Sequence, residues 1–374
     1  MSHSRFSTVL GSLMLATVAA TSAVPAAAAS TAGCDRACMR ALADGLVASM
    51  VAHRPQDVPL KEYYRATDNG VPASLAFMEI WRTISGAGAR QYYIDTVTGQ
   101  MFVIVSVAEG ATHSLMWGRL KVEDRVFSEL ELYVTRSRGD AGFIFGDGTL
   151  EQLPVAWTRP VEPSRLPSRE VLLRQGQAMF SPSIDLLPGS AECALIENGG
   201  VVREEDEWMK YNAPAGGPPP GAAPPPAGAT GGNGPPIGLP KSVTMTGSGC
   251  PLFPGRPADD KARVDVVDTE QGVAVSIASL EGLVYSYPVT NPTWSAFVPG
   301  ALRGMHESTF NKAMATGKYR QPKVVTMPTA IFVGQLFRIY DGQIQGFHMV
   351  QKLAPTGSIS PWTLPTVDAP GNGK

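Results

Sequence analysis

One order of four short blocks occurs twice along the chain, and that repetition constrains the fold more than any single motif. The first block is an amphipathic helix: "CMRALADGLVASM" (Cys38–Met50) resembles "VLLRQGQAMF" (Val171–Phe180), each with apolar residues at helical spacing. Ser168 is placed to cap the second of these helices, with Glu170 in its first turn. In the second block, "ATDNGV" from Ala66 matches "LIENGG" from Leu195, so that Asp68 or Glu197 directly precedes an Asn-Gly pair. The third matches "IDTVTGQMFVIVSVAEG" (Ile94–Gly110) with "VDTEQGVAVSIASLEG" (Val267–Gly282), a β-branched run opened by Asp-Thr and a Gly. In the fourth, "LKVEDRVFSELELYV" (Leu120–Val134) matches "FRIYDGQIQGFHMV" (Phe337–Val350), two strands joined by an acidic turn. Chance similarity among short amphipathic blocks would not keep four of them in order.

The offsets grow from 129 to 173 to 217 residues, so the second copy holds two insertions of about equal size. One contains residues 213–240, "APAGGPPPGAAPPPAGATGGNGPPIGLP", a composition that cannot bury a core and predicts a polyproline-like loop. The other, 285–323, carries Trp294, Phe297 and Phe310 and is expected to pack as a lid. The expected organisation is therefore a leader over 1–29, a first repeat over 30–140 and a linker over 141–166. A second repeat follows over 167–353, and a tail over 354–374. The leader reading rests on Arg5, an apolar run from Val9 to about Ala20, and Ala27-Ala28-Ala29 before Ser30. It predicts export, to the periplasm or beyond. No later segment is apolar over a length that would span a bilayer, so no membrane span is expected.

With 31 basic and 33 acidic residues there is no electrostatic footprint for nucleic acid. Four cysteines suit an oxidising compartment and allow three pairings. Cys34–Cys38 with Cys193–Cys250 is favoured, because an i, i+4 pair lies within bridging distance on a helix. The chain has no H-E-x-x-H, G-x-S-x-G, P-loop or dinucleotide fingerprint, and its five histidines are scattered. Neither a metal nor a cofactor is expected.

The first-half pieces "YRATDNG", "WRTISG", "YYIDTVTGQ" and "LKVEDRVFSELELYVTR", with "ECALIENG", "VVDTEQG" and the closing "SPW", resemble a family of exported bacterial and fungal proteins. Each half of that family is similar to the SnoaL-like group of the nuclear-transport-factor-two-like superfamily. The resemblance implies an α+β fold: two tandem cone-shaped, curved antiparallel sheets with packed helices, forming an internal pseudo-dimer and hence a monomer. Two positions depart from the pattern. Arg125 stands where a turn Gly is expected, and His348 stands where the first copy has Glu131.

Such a cone can run acid–base chemistry without a cofactor, since a carboxylate in a partly apolar pocket has its pKa raised toward neutrality. Members of the superfamily include isomerases, dehydratases, cyclases and an epoxide hydrolase, alongside plain binding modules. The candidate catalytic residues are Glu131, Asp68, His348 and Glu197. Alternation puts Glu129, Glu131 and Tyr133 on one face of their strand, and Asp68 and Glu197 are equally good turn residues. Tyr64, Trp81, Arg82, Tyr92, Tyr93 and Tyr133 are the candidates for binding a small organic, apolar or aromatic ligand. Two functions follow: a cofactor-free lyase, isomerase or hydrolase, or a non-catalytic module binding a ligand or another protein.

Overall fold

Strands dominate because the apolar blocks are short, β-branched and buried on both faces. "MFVIVSV" from Met101 to Val107 is buried at every position, as expected of a strand covered on both sides. The computed structural model describes residues 33–136, 150, 153–202, 243–244, 251–252, 259, 261–284, 297–299 and 327–364. The proposed leader, the loop at 213–240, most of the insertion at 285–323, Cys250 and the end of the tail lie outside the described residues, as does the side chain of Glu197.

The first half runs α1 (Arg36–Val51), β1 (Leu60–Asp68), β2 (Val71–Pro72), α2 (Ile80–Thr83), β3 (Gly86–Asp95), β4 (Gln100–Glu109), β5 (Thr112–Glu123) and β6 (Val126–Thr135). After α3 (Val155–Thr158), the second runs α4 (Arg169–Ala178), β7 (Gly189–Glu197), β8 (Gly200–Val202), β9 (Val243–Thr244), β10 (Pro251–Leu252), β11 (Arg263–Asp268), β12 (Val273–Val284), β13 (Phe297–Pro299), β14 (Met327–Tyr340) and β15 (Gln343–Ala354). Strands β9 and β10 form a separate two-stranded pair, and β13 adds to β12. The main sheets have orders β2-β1-β6-β5-β4-β3 and β8-β7-β15-β14-β12-β11, the same path twice. In each, the first long strand runs parallel to the last, β1 beside β6 and β7 beside β15, and the other pairings are antiparallel.

The expectation of two α+β cones is corrected. The sheets are mixed and open, each with two free ends, and among the described residues only α1 and α4 exceed one turn. With so little helix, each sheet cannot close around its own core. The two sheets instead stack face to face between the helices. Met39, Ala43, Leu46 and Met50 of α1 pack with Ile94, Val103, Leu130 and Leu132 on the outer face of the first sheet. Leu172, Met179 and Phe180, in and just after α4, do the same with Val267, Val333 and Phe337 of the second. Between the sheets, Tyr93, Phe102, Trp117 and Tyr133 meet Val266, Val275, Phe332, Leu336 and Val350. A side chain at Gly334 would press its Cβ to 2.7 Å from the Phe102 ring, so the sheets approach closely enough there that any larger residue would have to displace that ring.

The repeated Asn-Gly has a geometric cause. Asn69 and Gly70 take φ of 52° and 81°, and Asn198 and Gly199 take 46° and 81°, the left-handed pair that reverses a tight hairpin. Each Asn also holds the hairpin to the last strand of its sheet. The Asn69 amide donates to the Leu132 carbonyl at 2.8 Å while its Oδ1 accepts from the Val134 amide at 2.9 Å. Asn198 repeats this with Met349 at 2.7 Å and Gln351 at 2.8 Å. Arg125 tolerates a φ of 65° in the β5–β6 turn, where Gly342 serves the second sheet, and its guanidinium donates to the Gly33 carbonyl at 2.8 Å.

Each half also reaches into the other. Arg36, opening α1, donates to Asp268 of the second sheet at 3.0 and 2.6 Å. Arg169, opening α4, donates to Asp95 of the first at 2.8 and 2.7 Å. Trp157, in the segment expected to be a linker, follows the first sheet and packs edge-on to His348 of the second, 5.8 Å between centroids. Trp362 follows the second sheet and packs on the first, its indole N–H donating to Thr67 at 3.0 Å. Cys34 and Cys38 are bridged, stapling the start of α1, and Cys193 is also disulfide-bonded.

Candidate functional site

A polar island interrupts the apolar seam between the sheets beneath Trp362. Glu131, on β6, is wholly buried, and its inward direction follows from alternation: Leu130 and Leu132 face α1, so Glu131 must face the second sheet. There it accepts from Arg263 at 2.8 and 3.0 Å, Arg119 Nε at 3.2 Å and the Tyr133 hydroxyl at 2.9 Å. Arg119, on β5 directly opposite Glu131, also donates to Gln100 and pairs with Glu129, both at 2.7 Å. Asp265 completes the island at 3.3 Å from Arg263 and 3.8 Å from Arg119. Burial pushes its carboxyl up to about 6 although both guanidiniums pull the other way. Burial likewise opposes the charges on Arg119 and Arg263, but Asp265 and Glu131 outweigh it and hold both pKa values above the ordinary value. The Tyr133 hydroxyl is held well above its usual pKa by burial and by Glu131.

Next to the island a groove of about 550 Å³ opens to solvent between β1, β2 and the turn at Pro361–Thr363. Tyr64, Arg65, Pro72, Ala73, Pro361, Trp362 and Leu364 line it. The Trp362 ring lies 4.2 Å from the Arg65 guanidinium carbon and 4.6 Å from that of Arg119, within range of attraction between cation and ring.

The candidate residues are dispersed around this region. Glu131 and Tyr133 share a hydrogen bond within the island, and Tyr64 borders the groove. His348 occupies the position in the second sheet that Glu131 holds in the first, but under Trp157; its Nε2 accepts from the Gly199 amide at 3.3 Å. Asp68 accepts from the Glu79 amide at 2.7 Å and the Asn69 side chain at 2.9 Å, and burial raises its pKa. Glu197 pairs by its backbone with Gly200 in the matching hairpin. Trp81 is in the core beneath α1. Tyr92 donates to Asp44 at 2.8 Å, Tyr93 donates to Gln91 at 2.9 Å, and the exposed Arg82 caps the Phe77 carbonyl at 3.3 Å. None of these four lines the groove.

Arg119, Arg263, Asp265 and Trp362 were not read as a site from the sequence. A signal did exist: in "RVDVVD" from Arg263, charge alternates with Val, and in "MWGRLKV" from Met116 an Arg interrupts an apolar strand. Charges that alternate with core residues must either face water or meet each other. Among the described residues no cluster of His, Cys, Asp and Glu has the arrangement to hold a metal ion, and no helix is long and apolar enough to cross a membrane.

Comparison with protein families and with curated proteins gives no match. Among solved structures, a de novo designed protein with a curved β-sheet aligns over 27% of this chain and 87% of its own, at 15% identity and a TM-score of 0.24. So slight a likeness supports no conclusion about fold or function.

Proposed function

We propose that the chain is a non-catalytic binding module, with the groove beside Arg65 and Trp362 as its ligand site. The observation carrying this reading is the commitment of the candidate acid–base groups. Glu131 is held by two guanidiniums and a phenol, Asp68 by a backbone amide, and His348 is sealed beneath an indole. A general base needs a free lone pair within reach of substrate; a carboxylate already accepting four hydrogen bonds inside a seam offers none. The groove, by contrast, presents aromatic, proline and guanidinium surfaces to solvent, a lining suited to a small organic molecule. We place this activity in the periplasm or outside the cell, on the apolar run and the Ala27-Ala28-Ala29 pattern of the proposed leader, and take the chain to act as a monomer because its two sheets pair with each other.

The enzymatic reading keeps one observation in its favour: Asp265, pushed up to about 6, could exchange a proton near neutral pH. Incubating the purified full chain with a small-molecule mixture separates the two. Compounds retained saturably, recovered unchanged, and lost from Trp362→Ala support the binding module. Conversion of a retained compound, abolished in Asp265→Asn, would replace it with the enzyme.

A further inference from the structure

We infer that the groove is an anion site, built for a monoanionic acid on a flat apolar body, with the Arg65 guanidinium as its anchor. This inference rests on the groove being a ligand site. Arg65 is half-buried. Among the described arginines that are not exposed, it alone has neither a hydrogen bond nor an ion pair to another described residue. Arg36, Arg90, Arg119, Arg136, Arg159, Arg169, Arg263 and Arg338 all have at least one. Its cross-strand neighbour Glu129 would be the natural partner, but that carboxylate is bound to Arg119 at 2.7 Å.

What Arg65 does contact is the face of Trp362. A guanidinium laid on an indole keeps its five N–H donors in the plane, pointing outward from the ring. Two parallel donors on one edge match the two oxygens of a carboxylate, or two oxygens of a sulfonate. Among the described residues no second cation lines the groove, which argues against a dianionic phosphate. Of the other lining residues, Thr67 and Ser74 are polar, while Pro72, Ala73, Pro361 and Leu364 offer apolar surface on which a ring system can lie. At about 550 Å³ the space admits two or three fused or linked rings.

The test uses the full chain and two fluorescent probes of similar shape: 8-anilinonaphthalene-1-sulfonate, an anion, and the neutral N-phenyl-1-naphthylamine. The anion is expected to bind saturably, at one site, at least about ten-fold more tightly than the neutral probe, the value of one charge-assisted contact. Arg65→Gln should bring the anion's affinity down to that of the neutral probe, and Arg65→Lys should restore part of the preference. Trp362→Ala should weaken both probes. If Arg65→Gln does not fold, the native preference for the anion should shrink as salt is raised from 20 mM to 500 mM. Equal binding of the two probes, both sensitive to Trp362→Ala and neither to Arg65→Gln, would overturn the anion site while leaving the groove. Binding of neither probe, or binding insensitive to Trp362→Ala, would overturn the groove as well.

Discussion

The two arginines that cross between halves should differ in how much stability they hold, and the difference can be worked from their acceptors. Removing the Arg36 guanidinium, as in Arg36→Met, leaves Asp268 with four donors: the amides of Ile94, Glu270 and Gln271 at 2.8, 3.1 and 3.0 Å, and the Gln271 side chain at 2.9 Å. Removing the Arg169 guanidinium leaves Asp95, among the described residues, with the amides of Val97 and Thr98 at 3.0 and 3.4 Å. Both carboxylates are buried, so an unanswered charge there is costly. Both arginines are about a quarter exposed, and water takes over part of what each loses. Charge-assisted bonds of this kind are worth about 1.5–3 kcal/mol, so we expect about 1.5 kcal/mol for Arg36→Met and about 3 kcal/mol for Arg169→Met. The gap corresponds to roughly ten-fold in the unfolding equilibrium constant. Urea titrations of the full chain followed by tryptophan fluorescence, compared at equal slope, read it directly. An Arg36→Met protein as destabilised as Arg169→Met, or more so, would refute the donor-counting argument.

Three other changes are informative. Asn69→Ala should cost about 2 kcal/mol, combining the left-handed strain with the lost bond to Val134, whereas Asn69→Gly should lose only about 1 kcal/mol; equal losses in thermal denaturation would rule out the conformational share. Glu131→Gln should lower the denaturation midpoint by the equivalent of about 3 kcal/mol, because the buried Arg119 and the half-buried Arg263 lose their shared anion, and an unchanged midpoint would contradict that. Asp265 holds its proton up to about pH 6 in the folded chain, against about 3.9 when unfolded. Between those values the folded state keeps a proton that the unfolded state has released, so this group makes stability fall as pH rises from about 4 to about 6. Asp265→Asn should flatten that slope and stabilise the chain at pH 8 by about 2 kcal/mol; chemical denaturation at pH 4, 6 and 8 would expose a slope that persists.

The repeat was legible because its markers are local. Asn-Gly demands left-handed backbone wherever it occurs, and Asp-Thr with a following Gly closes the same turn at Asp95 and Asp268, so short blocks suffice to reveal it. Alternation at Glu129, Glu131 and Tyr133 correctly separated two faces of β6, but it could not say what each face meets. A run such as Met101–Val107 declares burial on both sides without naming the cover, and here the cover is a second sheet rather than the wall of a cone. The groove was legible only in part, through Tyr64, for a related reason. Arg65 and Trp362 meet across nearly the whole length of the chain, and only the folded arrangement shows that Arg65 lacks a carboxylate partner among the described residues while Arg119 and Arg263 share Glu131. The aromatic cluster misled for the opposite reason: Trp81, Tyr92 and Tyr93 are large residues consumed in packing, as most such residues are.

The crossed arrangement of Arg36 with Asp268 and Arg169 with Asp95 has a consequence for dilution. Two separate chains embracing in this way would come apart as their concentration fell, because association would have to offset lost translational freedom. Here the embrace is closed within one polypeptide, so its strength is set by tether length and not by abundance. However dilute the protein, both sheets would stay clasped, and with them the shape of the cleft beside Trp362.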